Sequence, residues 1–587
     1  MNTYDIIIKK LRLIIGNDHL ILVILALFVG TIAGAAVIVF RESISIVQFG
    51  FYGSASERFF SNDNNSEWWQ ILIVPIFGGL LVGLIVQFFL PNKRPEGVAD
   101  IIKASVQNGG RMSSRVGAAA AIISTISIGS GASVGREGPA VHLGASLAGW
   151  IGRRLNLDRS MMRTLLGCGV GAAVAASFNA PIAGTLFASE VIIGHYALRA
   201  FAPIVISSVA GTALSRVWFG NFPAFSLTET PLASFWEFPA FVALGLTSGI
   251  VAIIFMHSIL LAQKLSQHSP LPLWIKPAIA GLVIGLCGIV FPEVLGVGYG
   301  ITESALLVEI SLGMLLVLAV VKIFATAISL GWGFSGGVFS PSLVIGALSG
   351  GAFGIVVTGL FPEYSSGPAA YTLIGMGAVA AAVLGAPIST TLIIFEMTGD
   401  YALMLGVMVA IVTASEITEQ VYGRSFFSIQ LKKQGIDLRN DYETEVMHAI
   451  HLKQLMKTDI ELVSTNTNLQ TVRFMLQNSY NRELFVLRND GSLYGTISLG
   501  DLCEFAFDST IDDLLFAGDV AQPQPIMLCE DDNLEVALKV LSESELGRIA
   551  VVKNFDNLAF IGYVTRADVL VAYNKALLES RHEEHGN

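Results

Sequence analysis

The stretch Gly135-Arg136-Glu137-Gly138-Pro139 decides the reading. It sets a charged pair inside an apolar run, and the small residues Ala132–Gly135 before it suit unwound backbone. Ionisable groups at membrane depth are costly and usually functional. Gly and Pro here break one helix and start another. A helix N-terminus offers free N–H groups and partial positive charge, so it seats an anion without a cationic side chain. Glu137 is then a tethered anion competing for that seat. Deprotonated, it plugs the site; protonated or displaced, it opens it. A surface-loop salt bridge between Arg136 and Glu137 is the competing reading.

The surroundings support membrane depth. Of 587 residues, 53% are hydrophobic and 14% charged, against about 25% charged in soluble chains. This composition excludes a disordered chain and, with a net charge of −11, a nucleic-acid partner. The runs His19–Phe40, Gln70–Leu90, Phe238–Leu261, Leu306–Leu330 and Tyr401–Val421 are long enough, or nearly so, to cross about 30 Å of hydrocarbon. Lys9, Lys10 and Arg12 precede the first, which places the N-terminus in the cytoplasm; a signal peptide cleaved near Ala33 and Ala35 is the competing reading, against which the apolar run continues to Phe40. Cys168, Cys287, Cys503 and Cys529 have neither disulfide-framework nor zinc spacing, and no metal site is expected.

The apolar part is duplicated. Gly169-x-Gly171-Ala172, Ala180-Pro181-Ile182, Thr185-Leu186 and Glu190 recur 206 residues later as Gly375-x-Gly377-Ala378, Ala386-Pro387-Ile388, Thr391-Leu392 and Glu396. At an offset of 202, Gly135, Pro139, Gly144 and Ala145 return as Gly337, Pro341, Gly346 and Ala347. Such repeats are how many transporters build one site from two halves. The second copy, Gly336-Gly337-Val338-Phe339-Ser340-Pro341, again puts glycines before a helix start. The amides of Val338 and Phe339 are its useful groups, since backbone dipoles hold an anion and still release it. Phe339 either points into a pathway or packs.

With both motifs in this order, residues 20–430 resemble the CLC chloride channel and transporter family. The resemblance implies an all-α polytopic membrane protein with an inverted repeat, and a homodimer with one anion pathway per subunit. It also implies Glu137 as the gating glutamate and no required cofactor. The expected anion site takes in Gly135, Arg136, Gly138, Val338, Phe339, Phe427, Glu96 and Gly97. Three departures stand out. Glu96 in Pro95-Glu96-Gly97-Val98 sits where the family has a coordinating serine. Phe427 replaces the family's late tyrosine. Val191 follows Glu190 where proton-coupled members often have a second glutamate. The last favours a passive voltage- or pH-gated channel for chloride or similar small anions. A chloride/proton antiporter using Glu137 as outer proton acceptor stays open. Glu190 and Glu396 read as structural, and Lys322 as lining a vestibule, snorkelling or ion-paired.

After about Tyr422 the texture changes. Residues 441–587 carry 24 acidic and 11 basic residues, a net of −13, leaving 22 and 24 before them, a net of +2. The expected division is 1–18 N-terminal segment, 19–423 membrane domain (halves about 19–220 and 236–423) and 424–448 linker. Two soluble α/β repeats at 449–510 and 511–575 and a tail at 576–587 complete it. Gly495-Thr-Ile-Ser498-Leu-Gly-Asp501 returns 67 residues later as Gly562-Tyr-Val-Thr565-Arg-Ala-Asp568. The region resembles a CBS domain pair. Ser498 with Asp501, and Thr565 with Asp568, suit an adenine nucleotide, a hydroxyl to phosphate and a carboxylate to ribose. The whole reads as integral to a plasma membrane of the bacterial inner type, with the tail cytoplasmic. Two remote readings remain: a CBS-regulated cation transporter, and a membrane-embedded hydrolase on Gly131-Ala-Ser133-Val-Gly135.

Overall fold

The computed structural model describes residues 18–55, 67–194, 198–221, 233–398, 403–436, 447, 450–478, 483–502, 514–523, 525–543, 547–555 and 558–585. Lys9, Lys10, Arg12, Tyr401, Cys503 and the linker from 437 to 446 lie outside them. The chain divides into two compact units, one ending at Leu438 and the other running from Arg439 to His585.

The first half of the membrane unit comprises α1 (Asp18–Tyr52), α2 (Trp68–Phe89), α3 (Val98–Gln107), α4 (Ser114–Gly129), α5 (Glu137–Arg154), α6 (Arg159–Phe178), α7 (Pro181–Phe187) and α8 (Leu198–Phe219). The second comprises α9 (Phe238–His268), α10 (Lys276–Val290), α11 (Tyr299–Leu306), α12 (Leu312–Gly331), α13 (Phe339–Leu360), α14 (Pro368–Leu384), α15 (Pro387–Thr398), α16 (Met404–Val421) and α17 (Phe426–Lys433). Eight helices among the described residues are long and apolar enough to cross a membrane. Two expectations are corrected here. The run Leu306–Leu330 is not one span: α11 ends at Leu306, Val308 turns with φ of 59°, and α12 starts at Leu312. Polar Glu309 and Ser311 mark the break. Spans also form at Arg159–Phe178, Ala200–Phe219 and Phe339–Leu360, outside the five runs. The Arg159–Phe178 window is wholly buried in protein, so its Gly, Ala and Ser contact helices and not lipid.

Small residues set the helix crossings. A Cβ added to Gly144 of α5 would lie 2.4 Å from the carbonyl oxygen of Gly169 on α6. The second half repeats this: a Cβ on Gly346 of α13 would lie 2.4 Å from the carbonyl oxygen of Gly375 on α14. Backbones touch at both places, which only glycine allows.

The halves interlock through reciprocal bonds. Gly135 N–H donates to Gly337 O at 2.8 Å, and Gly337 N–H to Gly135 O at 2.7 Å. Ser133 N–H donates to Ser329 Oγ at 3.2 Å, and its counterpart Ser335 N–H to Ser127 Oγ at 3.1 Å. Ser133 and Thr326 hydroxyls lie 3.1 Å apart, and their counterparts Ser335 and Ser124 lie 2.8 Å apart. Bonds that exchange partners in this way define a two-fold axis. The axis passes through the buried Gly135–Gly337 bridge, where α5 and α13 begin. The two halves form an inverted repeat.

The tail unit is α/β, also duplicated. β1 (Leu462–Ser464), β2 (Glu483–Leu487), β3 (Leu493–Ser498) and β4 (Gln522–Pro523) form one sheet in that order, with α18 (Leu469–Asn478) between β1 and β2 and α19 (Ala517–Val520) before β4. β5 (Met527–Cys529), β6 (Arg548–Val552) and β7 (Phe560–Thr565) form the other, with α20 (Leu534–Glu543) and α21 (Arg566–His585). Each repeat pairs its first two strands parallel and the next two antiparallel.

Candidate functional site

The site is the meeting of two helix starts. The first N–H groups of any helix lack intrahelical acceptors. Here α5 starts at Glu137 and α13 at Phe339, on either side of the Gly135–Gly337 bridge. The close approach needs glycine: a Cβ on Gly138 would stand 3.0 Å from the Cα of Gly337. A cavity of about 560 Å³ reaches this point, and Glu137, Gly138, Gly337, Val338 and Phe339 line it. It extends to Lys433 and Gln434, at the end of α17, with Lys93, Arg94 and Lys276 also in its wall.

Glu137 is buried, at 3% exposure. Its Oε1 accepts from the Tyr299 hydroxyl at 2.8 Å, and Arg136 Nε lies 3.8 Å from the same oxygen. Its Oε2 is buried with no hydrogen-bond partner among the described residues. A loop salt bridge at a membrane surface does not describe this pair, because both side chains are enclosed. The Arg136 guanidinium stands 5.0 Å over the Tyr299 ring. Arg136, Tyr299 and Glu137 thus form one assembly. Tyr299 was missed in the sequence, although stepping the 202-residue repeat upstream maps it onto Gly97.

The remaining candidates distribute around the cavity. Phe339 lines it and also packs on Phe178, with ring centroids 4.8 Å apart. Phe427 lines it without a hydroxyl, packed near Phe426. Gly97 lines it, but its N–H donates to Asp100 Oδ2 at 2.9 Å and is not free for an anion. Glu96 lines it and turns its Oε2 to 3.3 Å from His142 Nε2, while Asn92 donates to its Oε1 at 3.3 Å.

Other singled-out residues do not reach the cavity. Lys322 is fully buried and donates from Nζ to Val294 O at 2.9 Å and Gly296 O at 3.0 Å. It lines no vestibule, does not snorkel and makes no ion pair among the described residues; it ties down the loop before Tyr299. Ser133 is also fully buried and bonded to Thr326, and His142 faces Glu96 instead of a serine. Glu190 accepts from Ile388 N–H at 3.2 Å and Ser389 N–H at 2.8 Å, at the start of α15. Glu396 accepts from Ile182 N–H at 3.2 Å and Ala183 N–H at 2.8 Å, at the start of α7. Each glutamate caps the other half's helix.

Residues 78–419 match the model of the voltage gated chloride channel family. The chain belongs to that family, the CLC proteins. Residues 452–508 and 517–575 match the CBS domain. A Ralstonia nicotianae protein described as "Putative chloride channel protein ClcB-like" is 33% identical over 66% of this chain and 90% of that relative. The Escherichia coli "Voltage-gated ClC-type chloride channel ClcB" is 29% identical over 69% of this chain and 97% of its own. Among solved structures, a slow cyanobacterial Cl−/H+ antiporter superposes with a TM-score of 0.63 at 23% identity, over 70% of this chain and 97% of that one. A eukaryotic CLC transporter superposes at 0.60 and 18% identity, over 93% and 97%. These likenesses establish the CLC fold, anion transport as the family's activity, and an integral membrane protein.

In the CBS tail, the hydroxyl–carboxylate pairs close on themselves. Ser498 Oγ donates to Asp501 Oδ2 at 2.7 Å, and Thr565 Oγ1 to Asp568 Oδ2 at 2.7 Å. Asp568 also holds Lys457 Nζ at 2.8 Å, whereas Asp501 takes the amide of Gln522 at 2.7 Å.

Proposed function

We propose that this CLC protein is a passive pathway for chloride or similar small anions, gated by Glu137. The carrying observation is the buried, unpartnered Glu137 Oε2 at the meeting of two helix starts. A carboxylate oxygen there substitutes for a permeant anion. The electropositive α5 and α13 ends favour any negative charge, so anion and carboxylate compete. Protonation discharges Glu137 and yields the seat. With Phe427 lacking a hydroxyl and the Gly97 amide engaged, binding falls to the Val338, Phe339 and Gly138 amides. The basic wall of the cavity raises local anion concentration.

Glu137→Gln tests this in proteoliposomes. The expected result is high chloride flux with most of its fall at rising pH removed. Unchanged flux and an unchanged pH profile would overturn the gate. Recording pH alongside flux separates the second reading, an antiporter, which the titratable carboxyl in the pathway favours. Proton uptake driven by a chloride gradient alone would establish that reading.

Around this core we infer a homodimer in a bacterial-type inner membrane, with N-terminus and CBS tail cytoplasmic. The paired CBS repeats support an adenine nucleotide as regulator, one that must take Asp568 from Lys457. Calorimetry of the full chain with ATP, ADP and AMP tests it; no heat with any of them removes it.

A further inference from the structure

Glu96 and His142 place a second titratable pair on the same cavity as Glu137. His142 is on α5, five residues beyond Glu137, or about 7.5 Å along the axis. Its side chain is fully buried, while that of Glu96 is 17% exposed. The Nε2–Oε2 separation is 3.3 Å, close but off the line of a well-formed hydrogen bond. Nδ1 is buried with no hydrogen-bond partner among the described residues. A neutral imidazole has one N–H and one lone pair, and burying either unmet is unfavourable. A buried histidine whose neighbour is a carboxylate is a place to hold a proton.

We propose that Glu96 and His142 form a proton-binding site on the anion pathway, separate from Glu137 and filled from the cavity. This rests on the cavity being the anion route. Glu96 meets cavity water and takes the proton; it passes across the 3.3 Å gap to His142 Nε2. The pair then changes from a net charge of −1 to zero, with an imidazolium beside a carboxylate. In the charged state Glu96 repels an anion approaching the Glu137 seat; in the neutral state that repulsion is gone.

In the cavity wall shared with Glu96, Lys276 donates to the carbonyl of Ser266, and Lys93 and Lys433 are exposed. Arg94 acts on Glu96 but is tied to Asp100 of α3. Arg159 and Arg163 of α6 donate to the carbonyls of Val106 and Ile193. On α1, Arg41 lies over Phe219 and Glu42 accepts from Trp218. Arg115 of α4 is exposed, Lys103 of α3 is half-buried, and α13 carries no ionisable residue. On α5 itself, Arg136 is held at Tyr299.

The test is chloride efflux from proteoliposomes between pH 5 and 8 in Glu137→Gln alone and with Glu96→Gln or His142→Gln added. The single variant is expected to keep a fall of roughly tenfold between pH 5 and 8, equivalent to about 1.4 kcal/mol. Either added substitution should flatten it. Chloride calorimetry in detergent at pH 5.5 and 8 should show the same loss of pH dependence. Matching profiles in single and double variants, or a flat profile in Glu137→Gln alone, overturns the proton site while leaving the gate standing. Failure of Glu137→Gln to raise flux strikes the gate instead. His142→Gln carries the test if Glu96→Gln does not fold.

Discussion

The two halves of the membrane unit share a scaffold and differ in chemistry. Stepping by 202 residues, Gly135, Gly138-adjacent Pro139 and Gly144 map onto Gly337, Pro341 and Gly346. Arg136 and Glu137, however, map onto Val338 and Phe339, and His142 onto Val344. The symmetric positions are those where backbones cross or exchange hydrogen bonds. Of the asymmetric ones, Glu137, Val338 and Phe339 line the cavity. Duplication built the frame twice, while Arg136, Glu137 and His142 occur in one half only.

Breaking the frame should have the largest effect, and an equal one in each half. Gly169→Leu and Gly375→Leu each force a side chain into a backbone carbonyl less than 3 Å away. Overpacking typically costs about 1–3 kcal/mol and more at such contacts. Both variants should yield no monodisperse protein on size exclusion. A fold lost in one half only would show that the crossings are not equivalent.

Breaking the asymmetry should act on transport without unfolding. Tyr299→Phe removes the hydroxyl that holds Glu137 Oε1. A hydrogen bond to a charged group is worth about 1.5–3 kcal/mol. Flux at pH 7.5 should rise roughly tenfold or more, short of the Glu137→Gln level, with melting temperature little changed. Flux equal to wild type would reduce Tyr299 to packing.

The reciprocal caps sharpen the comparison at smaller scale. Glu190→Gln and Glu396→Gln should each lower stability by about 1 kcal/mol, the usual worth of a helix cap. Thermal melts in one detergent measure both. Clearly unequal losses would give one of the glutamates a second task.

The smallest effect belongs to the tail, where the repeats also differ by one cation. Burial raises the Asp568 carboxyl, yet Lys457 and Thr565 outweigh it and hold it below its usual value. Lys457 is correspondingly raised by Asp568. A lowered carboxylate stabilises the fold above its unfolded pKa near 3.9, and that contribution is lost as pH falls through the folded value. Acid should therefore weaken the Thr565–Asp568 corner below about pH 4. Lys457→Met should remove this difference from wild type, read by amide exchange at the start of α21.

Much of this was legible in the sequence. Motif order and the repeat offsets gave the family, the helix starts and Glu137, because glycine and proline at fixed spacing constrain backbone directly. The α6 span was hidden because a helix enclosed by other helices needs small residues, not greasy ones. Tyr299 was hidden because its partner lies 162 residues away and no local pattern links them. Lys322 was misread because carbonyls of an irregular loop, invisible as letters, satisfy it. Glu96 was seen as out of place, but its turn toward His142 depends on a helix face that only folding assigns.

The crossed caps have a consequence for biogenesis. Glu396 closes a helix that leaves the ribosome more than two hundred residues earlier. Until the later segment is made, the α7 start lacks its Glu396 cap, and Glu190 has no α15 start to hold. Each half therefore completes its caps only in the presence of the other.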